Sequence, residues 1–295
     1  MLHAVLMPPH SRKRESFAGK ICLVFVVMTL LACTAAAYAA DRPRVASINV
    51  CTDQLLLALA DSAQIVGVSP HSHDRQRSWA ADRADRHRRL SGEAEDLLIL
   101  KPDIVFSGRF SRRATRELLR DKGVRVVEFD VARSLDDVRR QILRMGELVG
   151  HRDRAQQEVA RLDAAIVRAR QAASRTHYRV LSLSRRGWVS GHDSLITSIL
   201  TAAGLYNAAR DLGIKSGGFA SLEVIVGARA DFILIADDSP FAEDQGRAFL
   251  LHPALEALYP MAKRIVVPER LTVCGGTMLS EALDRLTAEI ERVSR

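Results

Sequence analysis

Residues 93–106 read EAEDLLILKPDIVF and residues 223–234 read EVIVGARADFIL. In the first stretch the apolar run Leu97-Leu98-Ile99-Leu100 stops at Lys101-Pro102-Asp103 and restarts as Ile104-Val105-Phe106. Proline disfavours helix in the residue before it, so the first run reads as a short helix and the second as a strand. In the second stretch Glu223 precedes Arg229 at the spacing that separates Glu95 from Lys101, and Asp231 leads into Phe232-Ile233-Leu234. One helix–strand phrase, written twice, predicts two similar α/β units.

Working outward, residues 44–48, 65–68, 104–106 and 124–129 read as strands. Helical patterns lie between them: one capped by Thr52 or Asp53, one over 93–100, and one over 112–122 closed by Gly123. The alternation resumes with strands at 179–183, 232–235 and 264–267 and helices at 194–203, 221–228, 252–258 and 277–293. Strand–helix alternation is the pattern of parallel α/β layers. Residues 134–175 interrupt it. Ser134 with Asp137 forms a variant capping box, and Leu135, Val138, Ile142, Met145 and Val149 step by three and four. After Gly150, Ala155, Val159, Leu162, Ile166 and Ala169 step the same way, predicting a helix over 152–173 roughly 30 Å long at 1.5 Å per residue.

The first residues read as a targeting segment. Arg12, Lys13, Arg14 and Lys20 precede the apolar run 21–33, which is short for a bilayer span, and Ala37-Tyr38-Ala39 fits a cleavage site after Ala39. A rival reading is a lipoprotein signal, Leu30-Leu31-Ala32-Cys33, with lipid on Cys33. Cys22 and Cys33 then belong to the signal, leaving Cys51 and Cys274 in an oxidising compartment. The expected organisation is a signal peptide at 1–39, an N-terminal lobe at 40–133, a connecting helical segment at 134–176 and a C-terminal lobe at 177–295. Formal net charge is +8, and the bases are scattered, which together with export argues against nucleic acid as a partner. With 47% hydrophobic but 5% aromatic residues, aliphatic side chains must build the core.

The order of "RVASINVCTDQLLLALA", "IVGVSP", "AEDLLILKPDIVF", "GVRVVEFDVARSLDDV", "GLYNAA" and "FASLEVIVGARADFIL" resembles the periplasmic substrate-binding proteins of ABC importers for vitamin B12, iron–siderophore and haem. The resemblance covers about residues 42–295. It implies two Rossmann-like α/β lobes joined by a single long rigid α-helix, with the ligand cleft between lobes. It implies capture of a metal chelate, cobalamin or a ferric siderophore, and delivery to an ABC permease of the inner membrane. A haem-binding or thiolate/His metal-binding periplasmic protein is the alternative. The resemblance also implies a periplasmic monomer without cofactor, and permease docking through one Glu on each lobe, here Glu95 and Glu223. A carboxylate in the first turn of a helix is favoured by the helix dipole.

Ligands of α/β lobes meet the loops after strand carboxyl ends. Those loops carry Cys51 and Thr52, His71 and His73, and Arg109 and Phe110 in the first lobe. In the second they carry Arg185, Arg186 and Trp188, and Cys274. Trp188 and Phe110 can stack on a flat macrocycle, and the arginines can bind its anionic groups. His71 and His73 can ligate iron or cobalt, His71 being the leading candidate. Cys51 and Cys274 have three readings: a disulfide that locks the lobes and obstructs entry, a pair of thiolate metal ligands, or two small buried thiols. A secreted hydrolase is a distant alternative. His192, Asp193 and Ser194 are contiguous and cannot form a triad among themselves, and no P-loop, nucleophile elbow or zinc-protease motif is present.

Overall fold

A computed structural model describes residues 42–173, 177–237 and 245–294. The expected signal peptide, with Cys33, lies outside the described residues. In chain order the elements that place the site are β1 (Val45–Ser47), α1 (Val50–Leu59), β2 (Ile65–Gly67), α2 (Ala94–Leu100), β3 (Ile104–Gly108), α3 (Arg113–Asp121) and β4 (Arg125–Phe129). Then come α4 (Leu135–Leu148) and α5 (Arg152–Ala172). The second half has β5 (Arg179–Ser184), β6 (Trp188–Ser190), α6 (Leu195–Ala202), β7 (Tyr206–Asn207), β8 (Gly217–Phe219), α7 (Leu222–Gly227), β9 (Phe232–Ile235), α8 (Pro253–Leu258), β10 (Arg264–Val266) and α9 (Leu279–Val293).

The two sheets repeat one topology. In the first, β2-β1-β3-β4 are all parallel. In the second, β5 pairs in parallel with β7 and β9, and β9 with β10, so β7-β5-β9-β10 copies that order. The antiparallel strands β6 and β8 extend the second sheet from the carboxyl end of β5. Sequence reading missed them because each is three residues long and the β8 strand is Gly-Gly-Phe, without an alternating pattern.

The repeated phrase is also a repeated structure. α2 ends at Lys101 with φ 47°, and the chain after α7 turns at Arg229 with φ 45°. Asp103 then closes a reciprocal pair with Arg44: its Oδ2 accepts from the Arg44 N–H at 2.7 Å, and its own N–H donates to the Arg44 carbonyl at 2.8 Å. Asp231 does the same with Arg179, at 2.8 Å in each direction. The Arg44 guanidinium donates to the Leu100 carbonyl at 3.0 Å and that of Arg179 to the Ala228 carbonyl at 3.2 Å. In each lobe the base stops the helix, and the Asp docks the following strand onto the first strand of the sheet.

Strand alternation divides the interior. Ile104, Phe106, Val180, Phe232 and Leu234 point into one continuous core shared by both halves, with α1, α4, α5, α6 and α9. Val105 and Leu97 fill a separate core on the outer face of the first sheet, and Ile233, Ile235 and Ile225 fill its counterpart on the second. Leu97 of α2 and Ile225 of α7 occupy the same place in the repeat. The 21-residue α5 buries Ala155, Leu162, Ala165 and Ala169. These small residues let neighbouring helices approach closely, so closely that a Cβ on Gly146 of α4 would collide with Ala155. The capping box at α4 is present: Ser134 Oγ accepts from Asp137 N–H at 3.1 Å, and Asp137 Oδ2 accepts from Ser134 N–H at 2.9 Å. At α1 the cap is Asn49 rather than Thr52 or Asp53. Its side-chain oxygen accepts from the N–H groups of Cys51 and Thr52, at 3.0 and 3.4 Å, so the helix starts earlier than its apolar face suggests.

Candidate ligand cleft

Both sheets direct their carboxyl edges at one region, because the loop after β1 and the loop after β10 are covalently joined there. Cys51 and Cys274 form a disulfide with Cα atoms 5.2 Å apart. Neither sulfur is therefore available as a thiolate, and the metal candidacy of Cys51 and Cys274 is withdrawn. Around the bond the halves are tied by further contacts. Gly275 packs against Ala132 and Val138 with no room for a Cβ. Arg133 pairs with Asp193 at 3.1 Å, the Leu135 N–H donates to Ser198 Oγ at 3.0 Å, and Trp79 Nε1–H donates to Glu281 Oε2 at 2.7 Å. These contacts make a floor. The Cys51–Cys274 disulfide is therefore the first of the three readings of this pair, a bond that ties the two halves together.

Both lobes carry exposed aromatics. On the first lobe Phe110 is 83% exposed, with Val131 exposed on the next loop. Arg109 beside it lies 3.6 Å from Asp130. On the second lobe Trp188 opens β6 and is 39% exposed. Its ring meets Phe219 edge-on at 5.1 Å, and Phe219, its cross-strand partner on β8, is 68% exposed. Arg185 and Arg186 are exposed on the turn before Trp188. Phe219 was not singled out from sequence. Its position opposite Trp188 depends on a strand pairing that the glycine-rich run conceals.

Two sequence candidates turn inward. Thr52 is 1% exposed, and its hydroxyl shares hydrogen bonds with Ser47 Oγ at 2.8 Å and the Asn49 carbonyl at 3.0 Å. Its role is to brace the first turn of α1, not to meet ligand. The His73 side chain is 6% exposed, with Nδ1 3.2 Å from Asp85. The carboxyl of Asp85 is held below the usual range, first by His73 and then by Arg75. The exposed imidazole of the pair is His71. Among the described residues no group of three His, Cys, Asp or Glu is placed to hold a bare metal ion.

A pocket of about 400 Å³ is lined by Arg133, Arg139, Arg170, His192, Asp193 and Ser194 among others. Its Ser194 is an N-cap, donating to the Gly191 carbonyl at 2.6 Å and accepting from Thr197 N–H at 3.3 Å, and Asp193 is paired with Arg133. This disposes of the nucleophile reading of that segment.

Glu95 and Glu223 are exposed, each in the first turn of its helix, α2 and α7. In a β-α-β crossover the helix runs antiparallel to the strands, so its first turn lies at the carboxyl edge of the sheet. The two carboxylates thus stand at the carboxyl edges of the two sheets, one per lobe. The Glu223 carboxyl is held below its ordinary range by the Ser221 hydroxyl and then by its own N–H.

A family model described as periplasmic binding protein matches residues 45–265. The chain belongs to the periplasmic binding protein family. A cobalamin-binding protein of Halobacterium salinarum is 26% identical over 238 residues, 77% of this chain and 63% of that relative, so the match spans less than two thirds of the relative's length. The periplasmic haem-binding protein RhuT from Roseiflexus sp. RS-1, in apo form, superposes with TM-score 0.69 at 25% identity, covering 86% of this chain and 100% of that one. The periplasmic vitamin B12-binding protein BtuF of Vibrio cholerae superposes with TM-score 0.65 at 15% identity, covering 86% and 99%. The family is one of substrate-binding transport proteins and not of enzymes, which counts against the hydrolase alternative. No helix among its described residues is long and apolar enough to cross a membrane.

Proposed function

We propose that this periplasmic binding protein is exported by its first 39 residues, captures a metal chelate in the interlobe cleft, and delivers it to an ABC permease of the inner membrane. The observation that carries the reading is the exposure of large aromatic side chains in both lobes, Phe110 after β3 in the first and Trp188 with Phe219 in the second. Exposed aromatics in a concave site are a surface for planar apolar cargo. Arg109, Arg185 and Arg186 beside them suit its anionic edge groups. A corrinoid such as cobalamin or a ferric siderophore fits this description, and the similarity to a cobalamin-binding protein supports it. Haem is the second reading, favoured by the exposed imidazole of His71 on a cleft loop, a ligand type suited to iron. A disulfide agrees with an oxidising compartment. A lipid on Cys33 would tether the protein to a membrane instead of leaving it free.

Cyanocobalamin, haem and a ferric catecholate have distinct visible spectra. Titration of each into the protein, with Trp188 fluorescence as a second reading, should show stoichiometric binding of one class. Absence of binding below about 10 μM, near −7 kcal/mol, by all three would refute the ligand class. For His71→Ala, loss of the haem Soret shift with cobalamin binding intact selects the haem reading. We further propose that Glu95 and Glu223 dock the permease, since charge pairs of this kind set orientation and on-rate. Glu95→Ala with Glu223→Ala should leave chelate affinity unchanged and abolish uptake in cells. Loss of chelate binding in that double variant would place the carboxylates in the cleft instead.

A further inference from the structure

Two covalent routes join the lobes. One is the chain itself through α4 and α5. The other is the Cys51–Cys274 disulfide, with a sequence separation of 223. The routes differ in what supports them. α5 is packed along its length into the shared core. The disulfide anchors the loop 272–276 at Cys274, and beyond it Gly275 is packed against Ala132 and Val138. Val273 in that loop is exposed. Cys51 is half-buried at the start of α1, whereas Cys274 is 2% exposed, so an attacking thiolate reaches the bond from the Cys51 side.

We propose that the Cys51–Cys274 disulfide is a reducible modification site that sets the affinity of the cleft. Oxidised, it pins loop 272–276 to the first turn of α1 and gives the cargo a fixed floor. Reduced by a dithiol, either a small molecule or a thiol–disulfide oxidoreductase of the same compartment, the loop is released and cargo is held less tightly. The step balances without a metal. One thiolate of the dithiol attacks the sulfur of Cys51 and expels that of Cys274, and the second thiolate then resolves the mixed disulfide. Two electrons and two protons pass to the protein, leaving two thiols, and the dithiol ends as its own disulfide.

The fold survives this change, because the other floor contacts do not involve sulfur. Arg133–Asp193, Leu135–Ser198 and Trp79–Glu281 remain, and so does the shared core. The packing of Gly275 against Ala132 and Val138 remains too, so opening is local to 49–52 and 272–274. The affinity part of the inference rests on the proposed chelate binding, and the loop part stands without it.

The experiment compares the oxidised protein, the same protein kept reduced in dithiothreitol, and Cys51→Ala with Cys274→Ala. Hydrogen–deuterium exchange is followed in peptides covering 49–53 and 270–277. Cyanocobalamin and haem are titrated in parallel. Expected are at least tenfold faster exchange in the 270–277 peptide and at least tenfold weaker binding in the reduced and variant forms, with unchanged far-UV circular dichroism. Equal exchange in oxidised and reduced protein overturns the inference. So does equal affinity, which would leave the chelate reading standing. If the oxidised protein binds neither chelate, that reading fails, and the exchange comparison alone decides whether the bond controls the floor. If the alanine variant does not fold, the reduced wild type carries the test.

Discussion

At the scale of single residues the most unusual group is Asp53. It lies in the first turn of α1, fully buried, and accepts from the Ser69 hydroxyl and, at 3.3 Å, from the Ser69 N–H. Burial pushes its carboxyl up to about 7, against the opposing hydrogen bonds from Ser47 and Ser69. The folded state therefore binds a proton that the unfolded chain releases near pH 4. Stability from this group is fully present below that point and is lost as pH rises towards 7, the loss amounting to at most about 4 kcal/mol. Asp53→Asn keeps an acceptor for the Ser69 N–H and has no proton to lose. The variant should be the more stable form at pH 8, with a flatter profile of urea-unfolding free energy between pH 4 and 8. A wild-type profile that is already flat would show that Asp53 is not the titrating group. The residue scale is also where sequence was least legible. Thr52 and His73 have the right chemistry and the right loops, yet both face inward, because side-chain direction is set by the cap at Asn49 and by Asp85. Neither partner can be chosen from spacing along the chain.

At the scale of elements the legible feature was the repeat, because it is a local matter of helix stop and strand start. Lys101 and Arg229 show what the phrase demands. Both sit at positive φ, in the left-handed region that ends a helix and that side chains with a Cβ enter at a cost of roughly 1 kcal/mol. Lys101→Gly and Arg229→Gly should each stabilise the protein, by about 0.5–1 kcal/mol once the larger entropy of the unfolded glycine is counted. Equal gains in the midpoint of chemical denaturation would confirm that the two turns are one device used twice. A loss at either site would mean that the base contributes a contact that outweighs its backbone strain. The antiparallel pair β6–β8 was illegible for the opposite reason. Its strands exist through pairing between residues far apart in sequence, Trp188 with Phe219 and Ser190 with Gly217, and neither strand has a local pattern to announce it.

At the scale of the molecule the two-lobe reading needs one qualification that only packing could supply. The lobes are distinct as sheets but not as cores, since the inner faces of both contribute to one continuous apolar cluster through α1, α4, α5 and α9. A shared core couples their unfolding. The chain has two tryptophans, one in each half, which makes the coupling measurable. In Trp188→Phe the remaining indole, Trp79, reports the first lobe and its bond to Glu281. In Trp79→Phe the remaining Trp188 reports the β6–β8 pair of the second lobe. If the core is shared, each variant's fluorescence transition should coincide with its own far-UV transition, in oxidised and in reduced protein alike. Reduction should lower the midpoint of both together, because a disulfide closing so long a loop constrains the unfolded chain by about 2–5 kcal/mol. A Trp188 transition displaced from the far-UV transition would mean that the second lobe unfolds by itself. The long helix would then be a tether between two domains and not the centre of one.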